Sequence, residues 1–278
     1  KGHTHQIVLP KIIGAQKVIN NTARQQPQKQ RKTIRPPTQL TLFDTGAFEP
    51  PTDLVTPDFW GHQPQNIDID TTFRLFYNNP SGLKLSSDQL SVQYSFSLLA
   101  QLGTGAICLA ETNLNWKHPR IYNRLKESLK KTWRHSTSVY SHIPEDIQGE
   151  IQPGGTLTIL TNNWTSRVID KGSDPYGLGR WTYTTLRGKN GIKVLIVTAY
   201  RVCTQTLSSI GPHTSTAQQH RRLSKTLREA GAHDKPIPRL QFIVDLQAWL
   251  ELKVREKHSI ILSIDANESI LNKSGKYL

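Results

Sequence analysis

The chain has 278 residues, enough for one large domain or two small ones, and its hydrophobic content of 36% is low for a wholly globular protein. A formal charge of +14 favours an anionic partner, most simply nucleic acid, over an acidic protein surface. No apolar run is long enough to span a membrane, and the only two cysteines, Cys108 and Cys203, each inside an apolar run, suit a reduced intracellular setting better than a disulfide framework.

Residues 1–40 hold eight Lys or Arg and no Asp or Glu, so they carry +8 of the +14. Rich in Gln and Asn, they cannot bury a core and are predicted to form a disordered basic arm. Within the arm, Lys29-Gln30-Arg31-Lys32 resembles a nuclear-import patch, a pattern that plain solvated charge also produces. Residues 41–70 contain Pro50, Pro51, Pro57 and Pro64 and read as a linker. The folded domain is expected over 71–278.

Phe73-Arg74-Leu75-Phe76-Tyr77 alternates like a strand and stops at Asn78-Asn79-Pro80-Ser81-Gly82. Ser87 is placed to cap a helix carrying Leu90, Tyr94, Leu98 and Leu102, closed by Gly103. The next strand, Ala106-Ile107-Cys108-Leu109-Ala110, ends at Glu111-Thr112-Asn113. Pro119 can open a second helix, with Ile121, Leu125, Leu129 and Trp133 on one apolar stripe. Gly154-Gly155 then marks the start of a strand over 156–160, and the run 181–186 looks like its successor across the turn-rich stretch 172–180. Lys189-Asn190-Gly191 is a tight-turn signal feeding a strand over 192–199 that ends at Tyr200-Arg201. A basic helix over 216–230 carries Arg221 and Arg222, with Leu223 and Leu227 facing inward. A helix over 239–258 aligns Ile243, Leu246, Leu250 and Val254. It delivers the chain into Ser259-Ile260-Ile261-Leu262-Ser263-Ile264, which reads as a buried strand ending in Asp265-Ala266-Asn267. Strands alternating with helices around a central β-meander predict an α/β layered sandwich.

Four strand-like segments thus end in polar groups: Asn79, Glu111, Tyr200, and Asp265 with Asn267. Taken singly, each is an ordinary turn or cap residue. In α/β sheets, however, ligands gather at the carboxyl ends of strands. If these ends converge, they bring together two carboxylates, two amides and a phenol. With no Cys or His cluster, that set suits magnesium or manganese rather than zinc. Arg180, Arg201, Arg221 and Arg222 are the candidate nucleic-acid contacts, each weighed against a solvated or stem-packed arginine.

The ordered set N-P-S-G-L (79–83), I-C-L-A-E-T (107–112), T-A-Y (198–200) and S-I-D-A-N (263–267) resembles the endonuclease/exonuclease/phosphatase superfamily. That group includes abasic-site endonucleases, pancreatic-deoxyribonuclease-like enzymes and the endonuclease domains of non-LTR retrotransposons. The resemblance covers roughly 71–267 and implies a four-layer, two-sheet α/β sandwich. It implies that Glu111 is the principal metal ligand, assisted by Asn79. Tyr200 would hydrogen-bond the scissile phosphate, Asp265 would orient or activate the attacking water, and Asn267 would steady the phosphate oxygens. The function it implies is a magnesium- or manganese-dependent phosphodiesterase, in particular a retroelement-type DNA endonuclease leaving a 3′-hydroxyl, within a polyprotein that also carries a reverse transcriptase. The alternatives are an inactive nucleic-acid-binding domain and a phosphatase or lipid phosphodiesterase of the same superfamily. The superfamily also carries an Asp-His near its C-terminus, and nothing after Asn267 matches it. His213, His220 and His258 read as surface or helix-end histidines. The sequence therefore reads as cut off inside its catalytic domain, with weak or no nicking expected of residues 1–278.

Overall fold

A computed structural model describes residues 72–85, 90–144, 147, 149–204, 211–232 and 235–268, the Leu90 side chain excepted. The basic arm, the linker and the Ser87 cap lie outside the described residues. Two four-stranded sheets carry the fold. The first has the order β1 (Leu75–Asn78), β2 (Ala106–Ala110), β4 (Thr156–Thr161), β3 (Ser136–Ser141), and the second runs β5 (Val168–Ser173), β6 (Trp181–Arg187), β7 (Lys193–Tyr200), β8 (His258–Asp265).

Each sheet holds one parallel pair. β1 and β2 are joined through α1 (Leu90–Gln101), and β7 and β8 through α3 (Ser215–Glu229) and α4 (Pro238–Arg255). Parallel neighbours need such a crossover, and antiparallel ones do not. The remaining pairs are antiparallel, with β5, β6 and β7 forming the expected meander.

The alternation of side chains along the buried strands decides the layers. Ile107 and Leu109 of β2, with Leu157 and Ile159 of β4, face α1 and α2 (Pro119–Thr132) in one core containing Phe96, Ile121, Leu125 and Trp133. Trp181, Leu195 and Val197 face α4 in a second core with Phe242, Leu246 and Trp249. The opposite faces of the two sheets meet. There the small Ala106 and Cys108 of β2 lie against the larger Leu186 and Ile196. The Thr158 hydroxyl is 2.8 Å from that of Thr182 and 2.7 Å from that of Thr198, so these buried hydroxyls satisfy one another between the sheets. The result is an α/β/β/α sandwich.

Several sequence expectations need correction. β3 and β5 carry too few apolar residues to read as strands, yet both form by pairing with β4 and β6. β4 and β6, which looked successive, belong to different sheets. In α1 the buried face is Val92, Phe96 and Leu99, while Tyr94 and Leu102 are exposed. In α4 it is Phe242, Asp245, Leu246 and Trp249, while Val254 is exposed. Both helices have apolar residues on more than one face, so spacing alone allowed two stripes and the facing sheet chose. β8, expected to be buried, has a neighbour on one side only among the described residues, and Ile261 and Leu262 are 38% and 39% exposed. It is an edge strand.

His142, just after β3, supplies a test of the packing. Burial lowers its pKa from 6.5 to about 4, with Lys117 adding to the effect, and its Nε2 is buried without a hydrogen-bond partner. The unfolded chain therefore takes up a proton near pH 6.5 that the folded chain refuses until about pH 4. Stability should fall as the pH drops through that window and level off below it. Urea denaturation from pH 7.5 to 4 should show this fall, and His142→Gln should flatten it.

Candidate active site

The parallel pairs bring the C-terminal ends of β1, β2, β7 and β8 to one rim. Tyr200 stands directly beside Asp265 in the β7–β8 register, and the Arg201 amide donates to the Asp265 carbonyl at 2.9 Å. On the other sheet, the Gly82 amide donates to the Glu111 carbonyl at 2.9 Å and the Leu83 amide to the Thr112 carbonyl at 2.8 Å, which fastens the loop after β1 to the end of β2.

Asn79 joins the two halves. Its Nδ2 donates to Glu111 Oε2 at 3.0 Å and to Asp265 Oδ2 at 2.5 Å. Its own Oδ1 accepts from the Ser81 amide at 2.7 Å, which fixes the orientation of the side-chain amide. Asp265 Oδ1 accepts from the Asn267 amide at 3.0 Å. Two carboxylates thus share one neutral amide donor.

The backbone is unusual at the same place. Ser81, Glu111, Asn113 and Asn267 have φ of 48°, 51°, 54° and 49°. Left-handed non-glycine residues cost about 1–3 kcal/mol each and cluster where surrounding structure over-determines them. At Glu111 that over-determination is visible: the Thr112 and Asn113 amides donate to the carbonyls of Gly155 and Gly154 at 3.1 and 2.8 Å, and the Gly154 amide donates to Asn113 Oδ1 at 2.7 Å. Gly155 has φ +80°, and a Cβ there would stand 2.7 Å from the Ser141 carbonyl oxygen. The Gly154-Gly155 pair therefore does more than mark a strand start: it pins the turn that presents Glu111.

Tyr200 is 3% exposed. Burial, then Glu111, Cys203 and Asp265, push its phenol well above the usual range, so it stays protonated and can act only as a neutral hydrogen-bond partner. Tyr77 is a neighbour that sequence reading did not single out. Burial and then Asp265 raise its pKa, and its hydroxyl is buried with no hydrogen-bond partner among the described residues. Its signal was present but ambiguous, since an aromatic in an alternating strand reads as core.

Asn267 is engaged differently from expectation. Its Nδ2 donates to the Arg201 carbonyl at 2.5 Å, and its Oδ1 accepts from the Cys203 thiol at 3.1 Å. Both ends of the amide are thus occupied by protein. In this arrangement Asn267 ties the end of β8 to the segment after β7, with one Nδ2 hydrogen used on the Arg201 carbonyl.

Two of the four arginines expected to contact nucleic acid cannot do so. Arg180 is fully buried: its Nε donates to Asp174 at 2.6 Å and its Nη1 to Asp245 at 2.7 Å. Arg201 is 3% exposed and pairs with Glu268 at 2.8 Å; Glu268 also holds Arg239. Pairing and stem packing, not a DNA-facing surface, account for both. Arg221 and Arg222 do remain at the surface of α3. His220 is only partly exposed, and His258 Nδ1 lies 3.1 Å from the Lys253 carbonyl oxygen, away from the rim. His213, read from sequence as a surface residue, is exposed but lines a cavity together with Glu111 and Tyr200.

Whether the rim suits a hard divalent cation can be judged from its donors. Magnesium is typically held by one or two carboxylates and keeps several waters. Glu111 and Asp265, positioned through Asn79, meet that need. No group of three or more His, Cys, Asp or Glu that could hold a metal ion occurs among the described residues.

A two-sheet sandwich with acids and amides gathered where the strands end is the arrangement implied by the resemblance to the endonuclease/exonuclease/phosphatase superfamily. No family model matches the chain, and no curated protein matches it in sequence. In solved structures the chain is similar to an endonuclease/exonuclease/phosphatase family protein from Leptotrichia buccalis C-1013-b, at 12% identity over 74% of this chain and 72% of that one, with TM-score 0.38. It is similar to a 3′-5′ exonuclease from Neisseria meningitidis at 14% identity, 69% and 56% coverage and TM-score 0.41. It is also similar to an AP endonuclease from Archaeoglobus fulgidus at 13% identity, 70% and 58% coverage and TM-score 0.41. The likeness lies in the arrangement of strands and helices, and the chain spans between about half and three quarters of the matched structures.

Proposed function

We propose that the protein is a metal-dependent phosphodiesterase acting on DNA, an endonuclease of retroelement type that leaves a 3′-hydroxyl. The observation that carries this reading is the Asn79 bridge, which brings Glu111 and a carboxylate 186 residues beyond Asn79 to one rim at the ends of parallel strands. Glu111, with Asp265 near it, would hold the magnesium or manganese ion, which when bound would offset charge on the phosphate and leaving oxygen. Asp265, oriented by Asn79 and by the Asn267 amide, would accept a proton from an attacking water. Tyr200, held protonated by burial, would meet a phosphate oxygen without adding negative charge. The polyprotein setting with a reverse transcriptase, and a nuclear location served by the basic arm, belong to the same reading.

The direct test is nicking of supercoiled plasmid in magnesium by the chain joined to a segment that supplies the superfamily's Asp-His, with a chelator control. Asp265→Asn should remove the activity while leaving DNA affinity within a few fold. Nicking that survives both would place the chemistry elsewhere. A second reading, a DNA-binding domain without catalysis, draws on the formal charge of +14 and on the partial engagement of Asn267 by Arg201 and Cys203. It predicts DNA binding that is indifferent to magnesium and to Asp265→Asn, with no nicking.

The arm makes a separate contribution. Its eight cations should add a sequence-independent, salt-sensitive term to DNA affinity. Deleting residues 1–40 should flatten the slope of log affinity against log salt without changing the cleavage pattern. An unmoved slope would assign the arm to some other partner.

A further inference from the structure

Beside the carboxylate rim lies a cavity of about 380 Å³ whose walls include Glu111, Tyr200, Cys203, Pro212, His213 and Ser215. Its volume exceeds what a lone phosphate group needs and falls within the roughly 300–1,000 Å³ of small-ligand sites. One wall carries the groups already assigned to phosphate chemistry. The other, immediately before and at the start of α3, is formed by Pro212, His213 and the hydroxyl-bearing Ser215.

This second wall is held in place by specific contacts. The Gln218 side chain donates to the His213 carbonyl at 2.7 Å, and the Thr214 hydroxyl accepts from the Ala217 amide at 3.3 Å. Behind it sits Gly154, with φ +87°. A Cβ there would stand 2.9 Å from Ser215 Oγ and 3.7 Å from the Tyr200 ring. The missing side chain at Gly154 lets Ser215 at the start of α3 come close to the Gly154 backbone, near the Tyr200 ring.

We propose that this cavity takes one nucleotide of the substrate strand, its phosphate toward Glu111 and Tyr200 and its sugar and base against Pro212 and His213. An imidazole can stack on any base, a contact worth about 1–3 kcal/mol per base, and Pro212 adds apolar contact, so the subsite selects a nucleotide without reading its identity. The placement of the phosphate rests on the phosphodiesterase reading, whereas the contact with sugar and base does not. His213 thereby becomes a substrate-contacting residue rather than a surface histidine.

The test is proton NMR of the His213 ring signals, assigned from a His213→Gln spectrum. The full chain in magnesium would be titrated with thymidine 5′-monophosphate, with thymidine and with inorganic phosphate. The monophosphate and the nucleoside should each shift the His213 signals saturably, and inorganic phosphate should not. His213→Ala should weaken nucleoside binding about fivefold or more, as followed on other shifting signals. Glu111→Gln should weaken the monophosphate and spare the nucleoside. If Glu111→Gln has no effect while thymidine still moves His213, the metal reading fails and the cavity stands. If His213 is unmoved by either nucleotide or nucleoside, or if phosphate alone gives the same shift as the monophosphate, the nucleotide subsite is overturned.

Discussion

Glu111→Gln should lower magnesium-dependent nicking by at least about a hundredfold in a chain supplied with the superfamily's Asp-His, the scale of losing one well-placed charge-stabilising group, and should leave the fold close to its original stability. The substitution keeps the side-chain length and an oxygen that can still accept from Asn79 Nδ2. It removes one of two negative charges that share a single amide donor, so the rim loses repulsion as well as attraction. Glutamine is as able as glutamate to occupy the left-handed backbone at this position, where φ is 51° and hydrogen bonds to Gly154 and Gly155 fix the turn. Manganese binding, followed by water-proton relaxation, should weaken in parallel. The combination to look for is lost nicking and lost metal binding with an unchanged urea midpoint. Unchanged nicking would remove Glu111 from the site. A large drop in stability would mean that its carboxylate serves the fold.

Arg180→Ala should have the opposite signature, a large loss of stability. The guanidinium is enclosed by Asp174 and Asp245, with Nη2 reaching Asp174 Oδ1 at 3.1 Å in addition to the two shorter pairs, and it lies over the Trp181 ring at 4.6 Å. Burial alone would lower its pKa, but the two carboxylates outweigh that and hold it charged. Removing it leaves two acids facing each other without water. Breaking a buried pair in this way costs about 3–5 kcal/mol. Urea denaturation at pH 7 should read that loss, and the deficit should shrink toward pH 5 as an orphaned acid takes up a proton. Arg180→Lys should fall between, since an ammonium keeps the charge but cannot fork to two partners. The consequence reaches the rim, because the Tyr200 amide donates to the Arg180 carbonyl at 2.8 Å. A loss below about 1 kcal/mol would show that water reaches the triad, as it does for exposed pairs.

These two residues show where reading a sequence stops. Local chemistry made the buried strands legible. β2, β4 and β7 are continuous apolar runs bounded by turn residues, and each was placed within a residue or two. Pro119, Gly103 and Lys189-Asn190-Gly191 punctuate the chain because proline and left-handed backbone are properties of single residues. The polar residues just past strand ends were legible for the same reason: an apolar run that stops at a carboxylate must stop at a surface. Tertiary structure alone decided which surface. β3 and β5 are strands only because β4 and β6 offer them partners, and β8 lies half exposed because nothing among the described residues pairs with its outer edge. Arg180, indistinguishable by sequence from a DNA-contacting arginine, is buried because two aspartates, 6 and 65 residues away, converge on it. His213 shares a cavity with Glu111 because the start of α3, close to the side-chain-free Gly154, brings it there. Hydrophobic periodicity and turn chemistry are local and can be read along the chain, whereas the pairing of charges and the walls of a cavity join residues far apart and exist only once the sheets have packed.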